Sequence, residues 1–184
     1  APAALLAAHP RLIVGAVTAF GRRGPDAHLA GMDIVLQART GLMATYGRMI
    51  DGRPAPGDSP SADYMCAMTL AFGIASALLR RERTGRGGTV DTSLMHAAMA
   101  LGNNQLVRSE EHDGPVHAAA LQRLAEQRAA HASWEEQAAA MPSSRTHAMT
   151  QVYFRTYDTA DRPIAVACGS PGLRAKLAQA VGFE

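Results

Sequence analysis

The sequence has 184 residues, of which 47% are hydrophobic, 5% aromatic and 18% charged, the make-up of a folded globular chain of one domain or one and a part rather than a disordered one. Eighteen basic against sixteen acidic side chains leave a net charge of +2, which offers no electrostatic footprint for nucleic acid or an anionic membrane. No apolar run approaches the ~18–20 residues of a bilayer span, which excludes a transmembrane protein, and the start, Ala1-Pro2-Ala3-Ala4-Leu5-Leu6, lacks the basic and apolar regions of a signal peptide.

Ala1 to Ala8 reads as the last turns of a helix, which Pro10 prevents from continuing. Leu12-Ile13-Val14-Gly15-Ala16-Val17 is a short apolar run expected to form a buried parallel strand, and Gly21, Gly24 and Pro25 mark the loop after it. Met32 to Tyr46 reads as a helix interrupted near Gly41, and Asp51 to Pro60 as a turn-rich loop. The clearest element follows. Ser61 is an expected N-cap with Asp63 in the first turn, and Met65, Met68, Phe72, Ala75 and Leu79 recur at helical spacing as one apolar face. Arg80, Arg81 and Arg83 suit the C-terminal end of the dipole, and Gly85 suits the stop. Thr89 to Leu94 alternates like a strand, and Met95 to Leu106 reads as a helix. This order predicts an α/β layer built on a parallel sheet with flanking helices.

From Arg108 to Thr150 the chain turns polar and Ala-rich, with helices expected over Val116–Ala132 and Trp134–Met141. It reads as a helical linker, with a disordered segment as the other reading. Val152–Tyr157 and Pro163–Cys168 flank the turn Asp158–Arg162 as a hairpin, and a helix from Gly172 to Val181 follows. The resulting division is 1–106, 107–150 and 151–184.

Few residues advertise chemistry. Cys66 and Cys168 are expected as free thiols in a reducing, cytoplasmic setting, with a single bridge as the alternative. The seven histidines form no His-x-x-x-His pair, so a metal site has no spacing to support it. No Gly-x-Ser-x-Gly elbow marks a serine nucleophile. Thr84-Gly85-Arg86-Gly87-Gly88-Thr89 precedes a strand, where a phosphate loop would open a helix, so it reads as a tight turn. Arg80, Arg81, Arg83 and Arg86 make a basic cluster that reads as a solvated helix end, with anion binding as the alternative. Asp63 remains: a carboxylate in the first helical turn, at the positive end of the dipole and near free backbone N–H groups, is rigidly held and able to attack an activated acyl carbon. The same position is also that of an ordinary helix-start aspartate.

The order of the motifs adds to this reading. His9-Pro10-Arg11-Leu12-Ile13-Val14, Ala19-Phe20-Gly21, Gly31-Met32-Asp33, Gln37-Ala38 and Gly41-Leu42-Met43 come in turn. Ala62-Asp63, Ala71-Phe72-Gly73-Ile74-Ala75-Ser76-Ala77-Leu78-Leu79, Arg81 to Gly87 and Val90 to Leu94 follow. This series resembles the family III CoA-transferases, the group of formyl-CoA transferase, carnitine CoA-transferase and α-methylacyl-CoA racemase. The resemblance is strong over positions 9 to 106 and weaker over 152 to 182.

What the resemblance implies is a Rossmann-like large domain and a small domain, assembled as an interlocked homodimer. Coenzyme A and acyl-CoA enter as substrates, and no bound cofactor is required. Asp63 matches the family's nucleophile by its place before Gly73, whereas Asp58, in a Gly-Asp-Ser context, lies five residues earlier. Leu29-Ala30-Gly31-Met32 matches a stretch lining the CoA pocket. The racemases carry a histidine base at the place of Met32, and methionine moves no proton. Formyl-CoA transferase-like members carry a basic residue at Ala30 and an aromatic one at Met32. Family members are also longer, so the sequence reads as a central portion. The expectation is CoA transfer from an acyl-CoA to a carboxylic acid, with a non-catalytic CoA-binding or assembly partner, or an acyl-CoA racemase, as the alternatives.

Overall fold

The computed structural model describes residues 2–102, 106–107, 109–141 and 152–183. Two compact units divide the chain, Ala1–Arg108 and Ser109–Glu184.

In the first unit, α1 (Pro2–Ala8) leads into strand β1 (Ile13–Thr18), and β1 pairs in parallel with β4 (Gly88–Ser93), in register from Ile13 opposite Gly88 to Thr18 opposite Ser93. Parallel strands need a long crossover, and everything between them serves as one. It comprises α2 (Asp33–Arg39), α3 (Leu42–Thr45), a two-residue ladder of β2 (Met49–Ile50) with β3 (Arg53–Pro54), and α4 (Ser61–Thr84). The break expected near Gly41 is real: Gly41 is left-handed at φ 79° between α2 and α3. The loop after it holds more order than expected. Asp51 and Gly52 both have positive φ, 50° and 69°, the backbone pattern that closes a two-residue hairpin. After β4, Ser93 is buried and accepts the His96 N–H at 3.2 Å to cap α5 (Leu94–Leu101). The part of the Met95–Leu106 expectation that falls on 103–105 lies outside the described residues. The glycines before β4 act as a turn. Gly87 N–H donates to the Pro10 carbonyl at 2.8 Å and Gly88 N–H to the Leu12 carbonyl at 2.9 Å, pinning β4 to the start of β1.

Helix α4 packs on β1, β4 and α5, but not by the face the sequence suggests. Ala62, Cys66 and Ala77 are buried, whereas Met68, Phe72, Ala75 and Leu79 of the expected apolar face are exposed, Phe72 by 77%. Close approach explains the choice. A Cβ added to Gly73 would lie 2.5 Å from Val90 Cγ1, and one added to Gly15 would lie 3.1 Å from Ile74 Cδ1. Gly73 lets α4 come against Val90, and Gly15 leaves room on β1 for the Ile74 and Leu70 side chains of α4. Cys66 is a small core residue, as expected, with its Sγ 3.8 Å from Thr92 Oγ1. The exclusion of a span also needs correcting. By length and composition α4, with mean hydropathy 1.5 over an 18-residue window, is long and apolar enough to cross a membrane. An average tolerates the Thr69 and Ser76 that break an uninterrupted run, and core helices of non-membrane proteins meet the same criterion. The core beside α4 joins Leu36, Leu42, Ala62 and Ala98, with Phe20, Leu94 and Met95 against it.

The second unit holds α6 (Glu110–Ala129), α7 (Trp134–Ala140), the antiparallel pair β5 (Phe154–Tyr157) and β6 (Ile164–Ala167), and α8 (Pro171–Ala180). The hairpin and last helix lie where the sequence puts them. Helix α6 begins six residues before the expected Val116 and carries Pro115 inside it. Helix α7 starts at the expected Trp134 on a capping box, in which Ser133 Oγ accepts the Glu136 N–H at 3.3 Å and Glu136 Oε2 accepts the Ser133 N–H at 2.8 Å. The remainder of the 107–150 segment, 108 and 142–150, lies outside the described residues.

Candidate active site

The site is built on the N-terminal end of α4. The sequence places Ser61 as the N-cap, but Pro60 occupies that position, and no side chain from α4 or its preceding loop caps the helix. The cap comes from α2. Asp33 Oδ1 accepts the Ala62 N–H at 2.8 Å and the Asp63 N–H at 3.1 Å. Its second oxygen, Oδ2, accepts from Gln37 Nε2 one turn along α2. Gln37 is 1% exposed, and its Oε1 accepts the Gly57 N–H at 3.2 Å. The pair therefore ties the loop before α4 and the first turn of α4 to one helix. Ser61 N–H donates to the Ser59 carbonyl at 2.8 Å and Tyr64 N–H to the Pro60 carbonyl at 3.1 Å. The expectation that Asp63 sits among free amides is thus corrected: the first four N–H groups of α4 are all engaged.

Asp63 itself is exposed and lines a cavity of about 310 Å³ between the start of α2 and the loop into α4. Met32, Asp33, Gln37, Gly57 and Asp58 contribute to the same wall. Among the described residues the cavity lining includes three carboxylates and no Arg, Lys or His. Asp58, the rival nucleophile, has a side chain 89% exposed and paired with Arg48.

Of the four residues matched to a CoA pocket, Met32 lines this cavity, while Leu29, Ala30 and Gly31 do not. Leu29 and Ala30 are exposed on the loop before α2. Gly31 is half-buried, and a Cβ there would come within 2.8 Å of Leu36 Cδ2 and 3.1 Å of Ala19 Cβ, which makes it a packing residue of the loop that carries Met32. The basic groups are spread. Arg22 pairs with Asp91 at 2.6 Å, Arg39 with Asp26 at 2.7 Å, and Arg80 donates to the Gly87 carbonyl at 2.7 Å.

Sequence reasoning missed Asp33 and Gln37 as site residues. Both appear in the motif series, and their i, i+4 spacing on α2 was the available signal that their side chains meet.

The comparisons with known proteins agree with this architecture. The family description CoA-transferase family III matches residues 1–184, and the chain belongs to that family. It is 39% identical to the acetyl-CoA:oxalate CoA-transferase of Acetobacter aceti over 94 residues, which cover 50% of this chain and 24% of that protein. It is 38% identical to the cinnamoyl-CoA:phenyllactate CoA-transferase of Clostridium sporogenes over 93 residues, 50% of this chain and 22% of that one. Among solved structures, Rv3272 of Mycobacterium tuberculosis in its orthorhombic form superposes with TM-score 0.66 at 24% identity, covering 100% of this chain and 41% of that one. A CAIB/BAIF family protein of Brucella suis superposes with TM-score 0.56 at 26% identity, covering 98% and 41%. The chain thus spans less than half the length of these relatives, and its mixed α/β fold with a small parallel sheet is theirs.

Proposed function

We propose that the chain supplies the nucleophile of a CoA-transferase that moves CoA from an acyl-CoA donor to a carboxylic acid acceptor. An Asp63 carboxylate oxygen attacks the thioester carbonyl; the C–S bond breaks and CoA leaves as thiolate, giving an acyl-aspartyl anhydride. The thiolate then attacks the Asp63 carbonyl and expels the donor acid, leaving an aspartyl-CoA thioester. The acceptor carboxylate attacks that thioester and expels the CoA thiolate, giving a second anhydride between Asp63 and the acceptor; the thiolate then attacks the acceptor acyl carbon, and the break of the anhydride C–O bond yields the acceptor acyl-CoA and frees the Asp63 carboxylate. Each step exchanges one activated acyl bond for another, with no net proton or electron transfer, so the reaction calls for no redox cofactor.

The observation that carries this reading is a carboxylate on the first turn of a long helix, open to a cavity whose lining, among the described residues, holds no cationic side chain. Such a wall suits the thioester and acyl end of the substrate, not its phosphates. Met32 and Ile34 give it apolar surface for the acyl group. In the same reading, β1 and β4 belong to a Rossmann-like sheet flanked by α4, 107–150 is a linker and 151–184 begins a small domain of an interlocked homodimer in the cytoplasm. Leu29, Ala30 and Gly31 contact CoA from the loop ahead of Met32.

The test is a hydroxylamine trap on the natural full-length protein during turnover, with the modified peptide read by mass. A mass shift on Asp63, together with loss of transfer in Asp63→Ala and retention of CoA binding, supports the reading; a shift on Asp58 moves the role there. A second reading, a non-catalytic family member that binds CoA or assembles with an active one, rests on Ala30 and Met32 standing where relatives of the formyl-CoA type carry basic and aromatic groups. Turnover with any pair from a panel of acyl-CoA donors and carboxylate acceptors removes it.

A further inference from the structure

We infer that Asp33 is a positioning residue for Asp63, and that Gln37 sets Asp33 in place; the inference rests on the nucleophilic role proposed for Asp63. The helix that presents Asp63 has no side-chain cap of its own. Its first turn is instead held by one carboxylate from α2, which accepts the N–H of Asp63 itself and that of its neighbour Ala62. The Asp63 backbone cannot rotate without breaking a charge-assisted hydrogen bond, which is stronger than a neutral one. Asp33 in turn is fixed by the buried Gln37, whose remaining carbonyl oxygen holds Gly57 in the cavity wall.

The consequence is a single rigid frame. Asp33 and Gln37, on one face of α2, fix the wall at Gly57 and the origin of the Asp63 side chain relative to each other, so the distance from carboxylate to bound thioester is set by α2. Asp33 touches no reacting atom in this scheme. It acts through Asp63, and its effect belongs to the rate of the acyl-forming step rather than to the affinity for CoA. Displacement of a nucleophile by about 1 Å costs on the order of 100-fold in rate, so a small loosening has a large readout.

The experiment is single-turnover formation of the Asp63 acyl species in the full-length protein, timed by quenching into hydroxylamine and counted per folded molecule, with KM for the acyl-CoA measured alongside. Asp33→Ala is expected to slow the step about 100-fold with KM little changed. Asp33→Asn keeps an acceptor oxygen for the two N–H groups but turns an N–H toward the Gln37 Nε2 donor, so it is expected to recover part of that rate. Gln37→Ala, which leaves both N–H bonds possible but frees Asp33 and Gly57, is expected to show a similar partial loss. Should Asp33→Ala not yield folded protein, Asp33→Asn and Gln37→Ala decide. A wild-type rate per folded molecule in Asp33→Ala overturns the inference, as does a Gln37→Ala rate equal to wild type. An Asp33→Asn protein as slow as Asp33→Ala overturns it too, because the shared acceptor would then be irrelevant. Absence of any Asp63 label in the wild-type protein is a different result: it removes the nucleophilic role of Asp63 on which the inference stands.

Discussion

Two helix starts in this molecule are secured by opposite means. Helix α7 is capped by its own neighbours: Ser133 and Glu136 satisfy each other's backbone N–H groups across three residues. Helix α4, which carries the candidate nucleophile, borrows its cap from Asp33, 29 residues before Ala62. A local cap forms whenever the helix forms and stabilises that helix alone. A borrowed cap forms only when α2 and α4 are already docked, so it ties the position of Asp63 to the tertiary structure. The difference teaches that a helix terminus intended to hold a reacting group can be referenced to a second element rather than to its own sequence.

The largest expected effect tests that distinction directly. Asp33→Ala removes acceptors from two N–H groups and strands the amide of buried Gln37, so the first unit should lose about 2–4 kcal/mol, a lost cap plus an unsatisfied buried donor. Ser133→Ala should cost about 1 kcal/mol, because its helix end is exposed and water replaces the hydroxyl. Urea unfolding followed separately for the two units measures both. If Ser133→Ala proves the more costly, the borrowed cap is not the stronger one and the comparison fails.

The pH dependence sharpens the local side. The hydrogen bonds from the Ser133 backbone N–H and hydroxyl hold the Glu136 carboxyl below the usual glutamate range. A carboxyl with a lowered pKa in the folded state contributes stability above its unfolded value, and that contribution is lost as pH falls through the folded one. The α7 end should therefore fray on acidification below the ordinary glutamate range. A carboxyl carbon titration of Glu136 by NMR should show its midpoint moving up in Ser133→Ala. An unmoved midpoint removes the Ser133 hydroxyl as a cause and leaves the backbone N–H of residue 133 as the group that holds the carboxyl down.

The same contrast explains how much of the molecule was legible in the sequence. Strands β1 and β4, the break at Gly41, the hairpin of β5 and β6 and helices α7 and α8 follow from signals contained within each segment. The Asp51-Gly52 turn carried such a signal too, and was passed over because the surrounding prolines and glycines already explained a loop. What needed tertiary information came out differently. The face α4 buries was misjudged because two stripes compete along it, and the sheet accepts the one that carries Ala62, Cys66, Gly73 and Ala77, with Ile74 seated over Gly15. Large apolar side chains on the other stripe have more area to bury, but area does not decide where the backbone must come close. Within the candidate site, Asp63 and Met32 were legible as members of a motif series, and both line the cavity. Asp33 was in plain view yet its role was not, since no local rule connects a residue to amides some thirty positions away.

The smallest expected effect concerns Ser61, the residue that sequence alone names as the cap of α4. Its side chain makes no capping bond; the hydroxyl is paired with the hydroxyl of Tyr46, at an exposed position. Ser61→Ala should therefore cost no more than about 0.5 kcal/mol, the range of surface substitutions away from special features, and Tyr46→Phe should cost the same, since each removes one partner of a single exposed bond. A true cap would cost about 1 kcal/mol or more, and only for Ser61. Equal, small losses in the two variants, with no further loss when they are combined, leave Asp33 as the group that holds this end of α4. A larger loss confined to Ser61→Ala returns the cap to the local sequence and makes α4 like α7.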